Sequence, residues 1–122
     1  MEDCVFCKIL SGEIPSHRFY EDDLMIIIAD IEPKAEKHYL AIFKKHCKLF
    51  TEMTAEDAVH LGSCIRKIGE LAPSLGLENG FRIAVNQGED AQQTVPHLHI
   101  HILGGQKLTE TNYRKNAQLR PR

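Results

Sequence analysis

No apolar run in the chain is longer than Leu24–Ala29, far short of the roughly 20 residues that cross a bilayer. The start, Met1-Glu2-Asp3-Cys4, has neither the basic nor the apolar region of a signal peptide. The expectation is a cytoplasmic protein that works away from membranes. Neither sign of charge prevails: 15 Lys and Arg against 17 Asp and Glu give a net charge of -2. That balance excludes the broad basic footprint of a nucleic-acid binder, so an anionic ligand has to be held locally. A Walker A sequence and a dinucleotide glycine fingerprint are both missing, and so are repeats, low-complexity tracts and Ser/Gly linkers. Tryptophan is absent as well. What is present is 122 residues, 43% of them hydrophobic, which suffices for the core of one domain. Four cysteines in a reducing compartment read as thiols or metal ligands rather than disulfides, and seven histidines are many for this length.

Periodicity and turn chemistry give the expected elements. Val5 to Leu10 suits a short helix ended by Ser11-Gly12-Glu13-Ile14-Pro15. Two short strands follow, around Arg18 to Glu21 and Leu24 to Ala29, with Asp22-Asp23 as a hairpin turn. The second is apolar on both faces and should be covered on both sides. His38 to Phe43 reads as a third strand. Thr54 and Asp57 form a capping-box pattern, and Ala58, Leu61, Ile65, Ile68 and Ala72 recur at helical spacing, predicting one long helix over 54–73. Asn79-Gly80 then turns into a fourth strand around Phe81, Ile83 and Val85, and a fifth spans about His97 to Leu103. Short strands around one long helix give an α+β class, an antiparallel sheet with helix on one face. From Gly105 onward the chain carries five Lys or Arg against the single acid Glu110 and little periodicity, a basic and mobile or partner-bound tail.

The informative segment is Gln93-Thr94-Val95-Pro96-His97-Leu98-His99-Ile100-His101-Ile102-Leu103-Gly104-Gly105. In an extended chain His97, His99 and His101 share one face, about 7 Å apart, while Leu98, Ile100 and Ile102 share the other. A lone histidine on a half-buried strand is ordinarily a polar neighbour of solvent. Three in strict alternation offer little to a core and much to chemistry, because imidazole near neutral pH is a nucleophile, a proton shuttle and a metal ligand.

The run His97 to Leu103 resembles the signature of the histidine triad (HIT) family. Cys4-Val5-Phe6-Cys7-Lys8-Ile9, Gly12-Glu13-Ile14-Pro15, Tyr20-Glu21-Asp22-Asp23, Ala29-Asp30-Ile31, His38 and Lys44-Lys45-His46 resemble further landmarks of that family, in its order. Gln93-Thr94-Val95 and Gly104-Gly105 look most like the HINT branch, purine nucleoside phosphoramidases. The resemblance implies a five-stranded antiparallel sheet with one long and one short N-terminal helix, over 1–107, with a basic tail over 108–122. It also implies a homodimer that joins two sheets into one of ten strands, to which Met53, Val59 and Phe81 contribute. For the site it implies that His99 attacks the α-phosphorus to give a nucleotidyl-histidine that water hydrolyses. His101 and Thr94 would hold phosphoryl oxygens, Asn86 and the amides of Gln93 to Val95 would complete the phosphate cradle, and the His38 segment would orient the nucleophilic ring. Asp30 and Ile31 would contact ribose, although for Asp30 a loop acid capping a turn is an equal reading. The implied ligands are a purine nucleoside monophosphate and its phosphoramidates.

Cys4-x-x-Cys7 alone could be a redox dithiol, half of a zinc site or two unrelated thiols. A cysteine-bearing subset of the HIT family completes a structural zinc site with the equivalents of His46 and His97, so the resemblance implies Cys4, Cys7, His46 and His97 as ligands. Cys47 is a rival ligand by position, Cys64 reads as core, and His17 and His60 as surface. Phe43 replaces a family proline, and Glu36-Lys37 replaces small residues, beside the ribose site; the carboxy-terminal contacts of some relatives have no counterpart here. Two alternatives belong to other classes. One is a metal-dependent hydrolase using all three histidines of the triad, and the other a nucleotide-binding regulatory module with vestigial hydrolysis.

Overall fold

The computed structural model describes residues 4–110; the basic segment after Glu110 lies outside the described residues. Seven regular elements follow one another: α1 (Val5–Ser11), β1 (Tyr20–Glu21), β2 (Met25–Ala29), β3 (Lys37–Phe43), α2 (Ala55–Leu71), β4 (Phe81–Ala84) and β5 (His99–Gly104). The strands form one antiparallel sheet in the order β1-β2-β3-β5-β4. Among the described residues no helix is long and apolar enough to cross a membrane.

The parity of the strands sorts the core into two layers. Met25 and Ile27 of β2, Tyr39 and Ala41 of β3, and Ile100 and Ile102 of β5 pack against Cys64, Ile68 and Ala72, the latter just beyond α2. Ile26, Ile28, Leu40 and Ile42 face the other way, onto Cys4, Phe6 and Ile9 at α1. Helix α2 covers one face of the sheet and α1 part of the other, so β2 is covered on both sides as its apolar residues require.

Helix α2 starts with the anticipated capping box, Thr54 accepting from the Asp57 amide and Asp57 from the Thr54 amide. It ends at Leu71, earlier than expected, since Pro73 tightens Ala72–Leu75 into a 3-10 turn closed by Gly76 at φ 77°. The buried stripe is Asp57, Leu61, Cys64 and Ile68, whereas Ile65 is 45% exposed and Ala58 faces out. Asp57 can be buried because Lys45 Nζ lies 2.7 Å from its carboxylate.

Strand β5 begins at His99 rather than His97, because the chain bends as the His97 amide reaches back to the Val95 carbonyl. Its far end is fixed by two glycines. A Cβ on Gly104 would meet Leu77 Cδ2 at 2.7 Å and the Gly80 carbonyl at 3.0 Å. Gly105 sits at φ 77°, where a Cβ would run into the Lys37 side chain.

Candidate functional site

The face carrying α1 opens into a cavity of about 500 Å³. Val5, Phe6 and Ile9 of α1, with Ile28 and Leu40, make an apolar wall; Asn86, Gln92 and Thr94 make a polar one. His38, His99 and His101 line the same space, and so do Asp30, Ile31 and Val95. Register explains the placement: Leu40 pairs with His101 and Ile42 with His99, so both imidazoles share the face that α1 covers.

Each ring has one nitrogen committed to a protein partner, which sets its tautomer. His99 Nδ1 lies 2.6 Å from the His97 carbonyl and donates to it, leaving a lone pair on Nε2. The Phe6 ring stands edge-on to His99 at 4.8 Å. Burial holds the His99 pKa below its ordinary value, so the ring is neutral. His38 takes a different part from the expected one. The Lys34 amide donates to its Nδ1 at 3.0 Å, which leaves the proton on Nε2. That Nε2 faces His101 Nδ1 at 3.0 Å and Asp30 Oδ2 at 3.3 Å. His38 therefore orients His101, and it is the His97 carbonyl that orients His99. Accepting at Nδ1, neutral His101 keeps its own proton on Nε2. Burial and the adjacent rings of His99 and His38 push the His101 pKa down to about 4, and burial lowers that of His38 as well.

Asp30 caps a turn, the loop-acid reading, and also reaches a ring of the cavity. One oxygen caps a turn by accepting from the Glu32 amide at 2.8 Å, while the other faces His38 on the cavity side. Ile31 is 96% exposed at the rim. Gln93 is corrected: its amide donates to the Gly88 carbonyl, its side chain bridges the Gly88 amide and the Lys48 carbonyl, and it does not line the cavity. The Gly88–Gln93 hydrogen bonds that close the loop decide this, and the single sequence carried no signal for them. Val5, Phe6 and Ile9 were also overlooked as site residues; their spacing on a short apolar helix beside the cysteines was the available clue.

Two clusters among the described residues have ligand atoms within 4.8 Å of one another. In the first, His97 Nδ1 lies 3.3 Å from Cys4 Sγ and 3.5 Å from Cys7 Sγ, and His46 Nδ1 lies 3.3 Å from Cys7 Sγ. Tetrahedral zinc separates sulfur and nitrogen donors by roughly 3.6 Å, close to this spacing. The outer partner also suits a metal: His97 Nε2 donates to the Phe43 carbonyl at 2.5 Å, freeing Nδ1 as a lone-pair donor. Cys4 is the N-cap of α1, its sulfur accepting from the Cys7 amide, so the helix start presents both thiols together. Burial and the neighbouring Cys4 side chain push the Cys7 pKa up to about 11.

The second cluster, Asp30, His38 and His101, does not fit a metal. A histidine bound through Nε2 needs Nδ1 to donate, yet the Lys34 amide already points a proton at it. The three triad rings do not converge on one ion either, since His97 turns to the thiols and His99 to a carbonyl. Cys47 packs into the core with its thiol toward the Leu49 carbonyl, and Cys64 is core as expected. His17 is exposed, resting on Phe19, and His60 is half-buried on α2.

Comparison with known proteins adds an independent view. The HIT domain family profile matches residues 11–108. A HIT-like protein of Synechocystis is 44% identical over 108 residues, 88% of this chain and 95% of that protein. Among solved structures, a HIT family hydrolase from Clostridium thermocellum superposes with a TM-score of 0.84 at 42% identity, covering 89% of this chain and 96% of that one. A zinc-bound histidine triad family protein from Mycobacterium smegmatis gives a TM-score of 0.77 at 33% identity, covering 96% of this chain and 85% of that one.

Proposed function

This chain belongs to the HIT family, and from that premise we propose that it hydrolyses purine nucleoside 5'-phosphoramidates through a nucleotidyl-histidine intermediate. The observation that carries the proposal is the bond from His99 Nδ1 to the His97 carbonyl, which aims an unprotonated Nε2 at a cavity of nucleotide size. The lone pair on Nε2 attacks the α-phosphorus, the phosphorus–nitrogen bond breaks, and the nitrogen leaves as the amine after taking a proton from solvent, which the attacking water returns in the second step. Water then attacks the same phosphorus, the bond to Nε2 breaks, and AMP or GMP leaves. His101 donates its Nε2–H to a phosphoryl oxygen, with Thr94, Asn86 and the amide at Val95 beside it, and His38 holds the His101 ring. Asp30 and Ile31 take the ribose, while the apolar wall takes the base. The hydrolase name of the Clostridium thermocellum relative supports the reaction class.

Cys4, Cys7, His46 and His97 would hold a structural zinc ion, and the zinc-bound mycobacterial relative supports that reading. Bound there, zinc supplies a cross-link between α1 and the β5 end and no open position for substrate. The chain is further proposed to work as a homodimer in the cytoplasm. β4 is a sheet edge, and its Phe81 and Ile83, with Val59 and Ile65 of α2, leave apolar surface exposed. Met53, half-buried against the core, stands with them as a proposed contributor.

The deciding experiment measures AMP release from adenosine 5'-phosphoramidate by the wild type and by His99→Ala, in metal-free buffer with chelator. The expected result is wild-type turnover and a loss of roughly a thousandfold or more in the variant. Equally slow hydrolysis by both, with AMP still bound, would instead make the domain a nucleotide-binding module.

A further inference from the structure

The loop between β4 and β5 contains three glutamines whose side chains behave differently. Gln87 accepts from the Phe50 amide and donates to the Asn86 carbonyl, and Gln93 bridges Gly88 and Lys48. Both staple the loop. Gln92 lies on the cavity wall, exposed, and its carboxamide has no hydrogen-bonded partner among the described residues. Its backbone is also unusual: Gln92 is the one non-glycine among the described residues with positive φ, at φ 60° and ψ 43°. It closes the 3-10 turn Glu89–Ala91 through its amide, which donates to the Glu89 carbonyl at 2.9 Å. Glycine would occupy that left-handed conformation at less cost. A residue that strains the backbone and presents an unpaired carboxamide to a ligand cavity is explained if the carboxamide meets the ligand.

The walls of the cavity say which part of the ligand. The apolar side, formed by Phe6, Ile9, Ile28 and Leu40, suits a flat base, and His99 faces the phosphorus. In-line displacement sends the leaving group to the side opposite the attacking Nε2, and Gln92 belongs to the exposed, polar part of the cavity lining. Resting on the hydrolytic reading above, we propose that Gln92 is a specificity-determining residue that hydrogen-bonds the leaving group. The favoured substrates are then phosphoramidates whose amine carries its own polar group, of the amino-acid or lysine type, over the simple ammonia derivative.

The test compares kcat/KM for adenosine 5'-phosphoramidate and for its lysine-linked counterpart in wild type, Gln92→Gly and Gln92→Asn, with inhibition by AMP and Tm measured alongside. Loss of one neutral hydrogen bond predicts that Gln92→Gly lowers the lysine-over-ammonia preference by roughly three- to tenfold. Inhibition by AMP should stay unchanged, and Tm should rise by roughly 2–4 °C as the backbone strain is relieved. Gln92→Asn, which tolerates the left-handed conformation and keeps a carboxamide, should retain part of the preference. An unaltered preference in Gln92→Gly, or a parallel loss of AMP inhibition and of both activities, overturns the proposal. If the wild type hydrolyses neither compound, it is the hydrolytic reading that fails.

Discussion

The His97 carbonyl accepts the Nδ1–H of His99 at 2.6 Å, while the His97 ring turns its own Nδ1 to the two thiols. One residue therefore serves two sites through two different groups. Its backbone sets the tautomer of the candidate nucleophile, and its ring belongs to the cluster of two cysteines and two histidines. Disturbance of the cluster can reach His99 along this single residue, with Phe6 of α1 giving a second path to the same ring.

A zinc ion held by Cys4, Cys7, His46 and His97, as proposed, would link metal content to stability. Wild type is expected to bind one zinc ion per chain, and Cys7→Ser to lose it, with Tm falling by roughly 5 °C or more. Elemental analysis beside a thermal melt reads both quantities. Equal zinc in the two proteins would remove Cys7 from the ligand set.

His38 offers a different test, because its Nε2 faces His101 Nδ1 at 3.0 Å. His38→Ala should lower kcat by roughly 10- to 100-fold and leave KM nearly unchanged, since His101 loses its fixed tautomer. His38→Gln, which can still donate toward His101, should recover part of the rate. A fall in KM-dependent binding with kcat intact would assign His38 to substrate instead.

Acid sensitivity follows from the depressed histidine pKa values. The ordinary value is 6.5 and that of folded His101 is about 4, with His38 shifted in the same direction. Between those pH values the unfolded chain binds more protons than the folded one, so stability declines as pH falls from about 6.5 to about 4. Above that window the contribution is complete and flat. Urea midpoints at pH 7.5, 5.5 and 4.5 should decrease in that order, and His101→Gln should weaken the trend; midpoints independent of pH would contradict the burial of these rings.

Substitution at the end of β5 tests packing alone. Gly105→Ala combines a left-handed backbone with collision against Lys37, and Gly104→Ala collides with Leu77. Each should cost about 1–3 kcal/mol in a chemical denaturation experiment. Unchanged stability in both would show that this corner can relax.

Which parts of the molecule were legible in the sequence follows from the range of each interaction. Strand parity is local, so the sharing of one face by His99 and His101 could be read directly, as could the capping box of Thr54 and Asp57. The pairing of two of the rings is not local: His38 and His101 are far apart in sequence and meet only through the β3–β5 register. Helix α2 misled for a related reason. Ile65 continues the apolar spacing, yet the sheet receives Cys64 instead, and Asp57 is buried because Lys45 arrives from another segment. The loop from Asn86 to Val95 was the least legible, since adjacent glutamines with identical chemistry point to different tasks.

The glycine pair that closes β5 has a consequence for the whole sheet. Strand side chains alternate, so a shift of β5 by a single position would exchange its two rows. Leu98, Ile100 and Ile102 would then fill the cavity, and the imidazoles would be pressed into the layer against α2. A slide in one direction would bring Leu103 into the gap beside Leu77 and the Gly80 carbonyl, where even a Cβ would come within 3.0 Å of both; the opposite slide would put Gln106 at the left-handed position that Gly105 now occupies. Two residues without side chains thus act as a stop that keeps the reactive row of the strand on the open side of the sheet.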